Sequence, residues 1–593
     1  DTTIVDHSGG FLSLDIDFVG GNGTDDGLRI NGNVGAGVTG LYETGPADAT
    51  GNSGVISYFF GAAASIVTFS GLEPIEDLMV AQTFTIEDTT AANVLNVVDG
   101  PESVGLDPNT GAVAGTYQVN FGGAAEEYNF RNKTNVVING LAGVDVYTMN
   151  LAGPTAADAL TQLTILADAG DTFNFTSPGF NRGTPLNVLF DGVAGTHATL
   201  NGSSQSEYAL LRPGFARLDG GGYRVTVRGP NDTVINSGGG ANERVDFIDS
   251  PGSDVYSVNP AQGRLTGAGF DLTANGFDQY WGYATNGGAD DRADIFDSAG
   301  DDYFVSFPTN ATITGPGYFA YAGFFDRFFA YGQNGGKDQA DVHGSNGNDQ
   351  MLGYLTHIKL QGAGVFTEAS GFEFLFGHAE LGTDRADLFD TSANDTFYSD
   401  PTQAYLYNST FFNSARGFDQ VFAHATSGGN DVADMFDSAG NDTFYADPFK
   451  AYLYNNSFLV FAAGFDAVVG HATAGNDRAD LYDSSGNDVF DGFPTDARMS
   501  GAGFANSAIG FDRVFGYAVN GGSDDHAILR ESQVLDEFFG RTNFGQFTNF
   551  GQFFYYLQDF NRITLFSDIN GPDRVDVQAV DYIFTRVGST GLV

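Results

Sequence analysis

The phrase Ala479-Asp480-Leu481-Tyr482-Asp483-Ser484-Ser485-Gly486-Asn487-Asp488 belongs to a tandem series that limits the folds open to this chain more than any other feature. The preceding copy reads Ala433-Asp434-Met435-Phe436-Asp437-Ser438-Ala439-Gly440-Asn441-Asp442. Counterparts begin at Ala386, Ala340, Ala293 and Val245, and the first Asp of each copy falls at 246, 294, 341, 387, 434 and 480. Spacings of 46 to 48 residues mark one supersecondary unit repeated in a stack or a ring. Other columns keep the register. Pro260, Pro308, Pro401, Pro448 and Pro494 each follow the second turn Asp by six residues. Gly-Phe-Asp or a near variant recurs from Gly276, Gly323, Gly371, Gly417, Gly464 and Gly510. A ring column follows: Tyr283, Tyr331, His378, His424, His471 and Tyr517.

Each copy holds short runs rich in Phe, Tyr, Val, Leu and Ala, separated by Gly-Asn-Asp, Asn-Ser or Gly-Ala-Gly turns. Runs of that length are strands rather than helices. The pattern predicts an all-β fold, a right-handed parallel β-helix or solenoid with repeats of about 47 residues, each making two coils of three short strands. A β-propeller with one blade per repeat is the alternative. Upstream runs such as Val136-Val137-Ile138, Leu163-Thr164-Ile165 and Leu186-Asn187-Val188 lie one coil apart without the strict period, which a solenoid tolerates and a closed propeller does not. The organisation read from sequence is an N-terminal β region or cap over 1–125, irregular coils over 126–240, regular repeats over 241–530 and an aromatic C-terminal cap over 531–593.

The formal charge of −49 comes mostly from Asp, which prefers turns to helices, so the charge belongs to the turns. With four lysines in 593 residues, binding to nucleic acid by counterion release is excluded as a reading. The absence of Cys rules out disulfides and thiolate metal sites. Disorder does not fit a chain that is 42% hydrophobic and 14% aromatic. No run approaches the roughly 18 apolar residues of a transmembrane helix. The first residue, Asp1, fits either a processed, exported chain or an internal fragment of a longer one.

Three columns carry candidate chemistry. The Asp columns offer Asp294, Asp297 and Asp302; Asp387, Asp390 and Asp395; Asp434, Asp437 and Asp442; and Asp480, Asp483 and Asp488. Stacked coils would align these oxygens, and clustered carboxylates suit a hard cation, Ca2+ in particular. The competing reading is that Asp and Asn cap turns through backbone N–H groups. In the ring column, Tyr takes the place of His in half the copies, which fits an aromatic ladder better than a row of zinc ligands. Arg244, Arg292, Arg385 and Arg478 recur two residues before the first Asp, as a salt-bridged ladder would require. A catalytic site is a singular break in a repeat, and no nucleophile elbow, His-Glu-x-x-His or phosphate loop is present, so no enzyme is expected.

The Asp-Ser-Ser-Gly-Asn-Asp turn with Gly464-Phe465-Asp466-Ala467-Val468 resembles the repeats of large secreted surface proteins of planctomycete-type bacteria, as does Phe69-Ser70-Gly71-Leu72-Glu73-Pro74-Ile75 upstream. The Gly/Asp turns are also partly similar to calcium-binding repeats of toxin-type β-rolls. The first resemblance implies an extracellular β-helical protein with a structural or adhesive role and supplies no catalytic residues. The expected function is a structural subunit of a surface layer, appendage or fibre that assembles end to end with copies of itself through segments 1–20 and 540–593. A glycan-binding adhesin is the alternative, and a β-helix polysaccharide lyase a more distant one.

Overall fold

The computed structural model of the chain describes residues 2–20, 26–45, 53–72, 74–121, 127–151, 159–177, 185–532, 535–549, 551–567, 573–588 and 591–592. Glu73, quoted above, lies outside them. Every extended regular element among the described residues is a β-strand, and no helix there is long and apolar enough to cross a membrane. The chain forms two compact units, one of residues 1–296 with 317–325, the other of 297–316 with 326–593.

In the second unit each copy lays down five strands. For the copy opening at Arg385 they are Arg385–Phe389, Thr396–Asp400, Gln403–Tyr407, Phe412–Arg416 and Gln420–His424. First and fifth lie in one sheet and pair in parallel, Arg385 opposite Gln420. The middle three form an antiparallel meander in the other sheet. The next copy, from Val432–Phe436 to Ala467–His471, repeats the plan with the sheets exchanged.

The exchange follows from counting. The chain crosses between sheets after the first, fourth and fifth strands, an odd number of times, so each copy starts opposite its predecessor. One turn takes two crossings, and a copy therefore makes one and a half turns. This corrects the expected two coils of three strands. In most copies the Pro column marks the place where the chain folds back, and the copy with Leu355 there folds back as well. In Asp400-Pro401-Thr402 the fixed proline φ opens a turn, and Asp400 Oδ1 accepts the amides of Thr402 (2.8 Å) and Gln403 (3.1 Å). The chain doubles back there as a hairpin instead of starting a third face. Parallel pairing between copies sets the fold apart from a propeller blade, and the architecture is that of a β-solenoid.

In the first unit the hairpin is missing from part of the chain. Val146–Asn150, Thr172–Thr176 and His197–Asn201 stack in parallel in one sheet, one turn taking 26 and then 25 residues. Lys133–Asn139, Gln162–Leu166 and Leu186–Asp191 do the same in the other.

Strands of period two send alternate side chains inward. Phe397, Phe444 and Phe490, on second strands, are fully buried. Opposite them the fifth strands carry a small residue. A Cβ on Gly470 would lie 2.8 Å from the Phe444 ring, and one on Gly516 would lie 2.8 Å from Phe490. Gly470→Val is therefore expected to lower stability by about 1–3 kcal/mol through overpacking, read from the midpoint of urea unfolding.

Candidate functional site

The repeated turn is built from its own side chains first. In Asp483-Ser484-Ser485-Gly486-Asn487-Asp488, the Ser484 amide and hydroxyl both donate to Asp488 Oδ2 at 2.8 Å, and the Gly486 amide donates to Ser484 Oγ at 3.0 Å. Ser438 and Asp442, Ser298 and Asp302, and Thr391 and Asp395 repeat that closure.

The same turn is then tied to the next coil. Asp483 Oδ1 accepts the amides of Val519 (3.1 Å) and Asn520 (3.0 Å), and Asn487 Oδ1 accepts that of Ser523 (2.9 Å). Asp488 donates its amide to Asp525 Oδ1 at 2.9 Å, and Asp525 donates in turn to Asn561 Oδ1 at 2.7 Å. One copy earlier the chain of donors runs from Asp442 to Asp477 Oδ1 and from Asp477 to Asp512 Oδ2, both at 2.8 Å. Asp395, Asp431 and Asp466 form the equivalent chain at 2.7 and 2.8 Å. Carboxylates capping backbone N–H groups across coils thus account for most of the column.

These turns gather buried acids. Asp297, Asp302 and Asp338 lie together, as do Asp437, Asp442 and Asp477, and Asp483, Asp488 and Asp525, with candidate ligand oxygens within 4.8 Å of one another in each group. Asp249, Asp254 and Asp291 form the same group in the first unit. Asp390 and Asp395 occupy the matching turn, where Asn408 Nδ2 donates to Asp395 Oδ1 at 2.7 Å. The third acid of each group (Asp338, Asp477, Asp525) was not among the sequence candidates. For Asp477 the signal was the Gly475-Asn476-Asp477 turn that leads into the next copy; Gly336-Lys337-Asp338 and Ser523-Asp524-Asp525 keep only the final acid.

Asp294, Asp387, Asp434 and Asp480 lie elsewhere, on the outer face of the first strand. Arg292, Arg385 and Arg478 meet Asp294, Asp387 and Asp480 at 2.7 Å, and His471 lies 3.5 Å from Asp434. Arg385 and Arg478 also lie over the rings of Phe422 and Phe515, 3.9 and 4.1 Å from their centroids. Although burial pushes Asp387 up, His424 and Arg385 hold it well below the usual carboxylate range. Sequence spacing placed these acids in the cation constellation; strand alternation turns them away from it.

The ring column forms stacks across adjacent strands. Phe307, His343 and His378 stack at 4.5 and 4.3 Å, Tyr354, Phe389 and His424 at 4.6 and 4.9 Å, and Phe436 and His471 at 4.2 Å. Burial lowers His378, keeping the ring neutral.

Burial raises Asp338, Asp477 and Asp483 to about 6, with neighbouring carboxylates adding to the shift. Among the described residues, Asp302 Oδ1, Asp442 Oδ1 and Asp488 Oδ1 are buried without a hydrogen-bond partner. A Cβ on Gly315 or Gly501 would lie 1.7 Å from Asp302 Oδ1 or Asp488 Oδ1, so glycine makes room there for the carboxylate. Such groups can take up a proton or a hard cation.

A pH prediction follows for Asp477→Asn in chelator. The folded pKa of Asp477 lies above its ordinary 3.8, so the folded state takes the proton first, and the stability this gives is lost as pH rises to about 6. Asparagine keeps the acceptor for the Asp442 amide and sheds the charge. The variant is expected to melt above the wild type at pH 7, the gap closing as pH falls from about 6 to about 4.

No protein-family model and no curated protein sequence matches this chain.

Proposed function

We propose that this chain is an extracellular structural protein, a right-handed β-solenoid that serves as a rigid subunit of a surface layer, appendage or fibre. The observation that carries the reading is where the repeated chemistry points. Asp483, Asn487 and Asp488 engage the next coil's turn, and the ring column stacks across adjacent strands. The right-handed rule for parallel crossovers supports the hand. The secreted repeat proteins that the turns resemble support the location.

Assembly is end to end. Among the described residues, Thr2–Asp6 is paired on one side, with Gly27–Asn31, and Arg574–Val580 on one side, with Glu537–Thr542. Such edges accept a further strand, and a head-to-tail contact of this kind does not close. Ca2+ is the cation proposed for the carboxylate groups, supported by the unpartnered Asp302, Asp442 and Asp488 oxygens. Sedimentation velocity over a range of concentrations, with Ca2+ and with chelator, tests the reading. Species heavier than the 62.7 kDa chain, growing with concentration, are expected; a monomer under both conditions contradicts assembly. Calcium should raise the melting temperature of the wild type more than that of Asp477→Asn, and equal shifts would remove it from these turns.

A second reading, a glycan-binding adhesin, rests on half-exposed outer rings. Tyr398, Tyr405 and Phe412 form a row at 5.7 and 5.2 Å, and flat rings of this kind stack on sugar faces. A glycan array without binding would remove it.

A further inference from the structure

Near the start of the chain, outside the regular repeats, a lysine and an aspartate meet with neither side chain exposed to solvent. Asp77 ends the strand Ile75–Asp77, held between Ile30 and Phe130 of the flanking strands. Lys133 opens the strand Lys133–Asn139, opposite Ala81. Both side chains have no solvent exposure. Lys133 Nζ donates to Asp77 Oδ1 at 2.8 Å, to Tyr58 Oη at 2.8 Å and to the Met79 carbonyl at 2.6 Å. The rings of Tyr58 and Phe84 wall the amine in, their centroids 5.3 and 5.1 Å away.

The two carboxylate oxygens are held differently. Oδ1 faces the amine and accepts the Met79 amide at 3.1 Å. Oδ2 accepts the hydroxyls of both Tyr58 and Tyr128. Burial pushes those phenols well up, so they remain donors, and burial pulls the Lys133 amine down toward its neutral, nucleophilic form. A nucleophile lies within hydrogen-bond distance of one carboxylate oxygen, and two fixed donors sit on the other, the oxygen that would carry negative charge in a tetrahedral intermediate.

We propose that Lys133 and Asp77 condense to an intramolecular isopeptide bond. The Nζ–Cγ bond forms and the Cγ–Oδ1 bond breaks. Two of the three ammonium protons pass to Oδ1, which leaves as water, and the third remains as the amide N–H facing the Met79 carbonyl. Oδ2 becomes the amide carbonyl oxygen, still held by Tyr58 and Tyr128. An ammonium and a carboxylate become a neutral amide and water, so neither an oxidant nor a co-substrate is needed. The step also removes two charges from a site where keeping them ionised is costly. The product clamps chain positions 77 and 133, a covalent staple suited to a load-bearing protein.

Intact mass under denaturing conditions tests this on the wild-type chain. The expected mass is lower than the sequence mass by one water, and proteolysis should release a branched peptide joining the Asp77 segment to the Lys133 segment. Lys133→Met and Asp77→Ala chains should have their full masses, a readout that does not depend on their folding. A wild-type chain of full mass overturns the proposal. So does a water loss that persists in Lys133→Met, because that would place the loss in an aspartyl succinimide.

Discussion

Asp77→Ala is expected to lower the stability of the first unit by about 3–5 kcal/mol relative to the uncondensed Lys133–Asp77 pair, the range for breaking one partner out of a buried charged pair, and by more relative to the condensed chain. The substitution strips an acceptor from four donors at once: Lys133 Nζ, the Tyr58 and Tyr128 hydroxyls, and the Met79 amide. Truncating the other partner is milder. Lys133→Met leaves the Asp77 carboxylate with the Met79 amide and both hydroxyls, and fills the space with an apolar chain of similar length. Urea unfolding should rank Asp77→Ala below Lys133→Met, and both below wild type. A reversed order would mean that the ammonium, rather than the carboxylate, organises this core.

Phe444→Ala is the second large effect, about 3–5 kcal/mol for a fully buried Phe. The ring packs against Phe511, 5.7 Å between centroids, and fills the space that Gly470 leaves open. Coils of a solenoid touch only their neighbours, so the loss should stay local. Hydrogen exchange should quicken in Val432–Phe436, Ala467–His471 and Arg478–Tyr482, and stay unchanged in Leu186–Asp191 of the first unit. Adding Gly470→Leu to Phe444→Ala should recover part of the loss, since each change corrects the other's volume error. Loss without recovery would mean that the two positions do not share the core space.

Much of this fold is legible in the sequence because stacking copies the same contact many times. The strand runs and the turn Asp columns survive as structure. What the period hides is the number of crossings. Asp400-Pro401-Thr402 reads as a turn, and only pairing shows that it folds the chain back within one sheet. The candidate cation groups were half legible. Asp437 and Asp442 share a turn in sequence, whereas Asp477 reaches them from the following coil. Asp434 and Asp480 looked equivalent to them by spacing, but strand alternation places them outside. Lys133 gave no signal, because one lysine outside the repeats has no column to compare it with.

The most direct test of whether the turn acids fasten coil to coil is amide hydrogen exchange on the full chain in chelator. The amides of Asp442, Asp477, Asp488 and Asp525 flank turns and would ordinarily exchange quickly. Each donates to a side-chain oxygen of the next coil at 2.7 to 2.9 Å. Protection matching that of the strand amides in Val432–Phe436 and Arg478–Tyr482 is the expected result. Exchange at the rate of open turns would contradict it, and would free these carboxylates for a partner outside the chain.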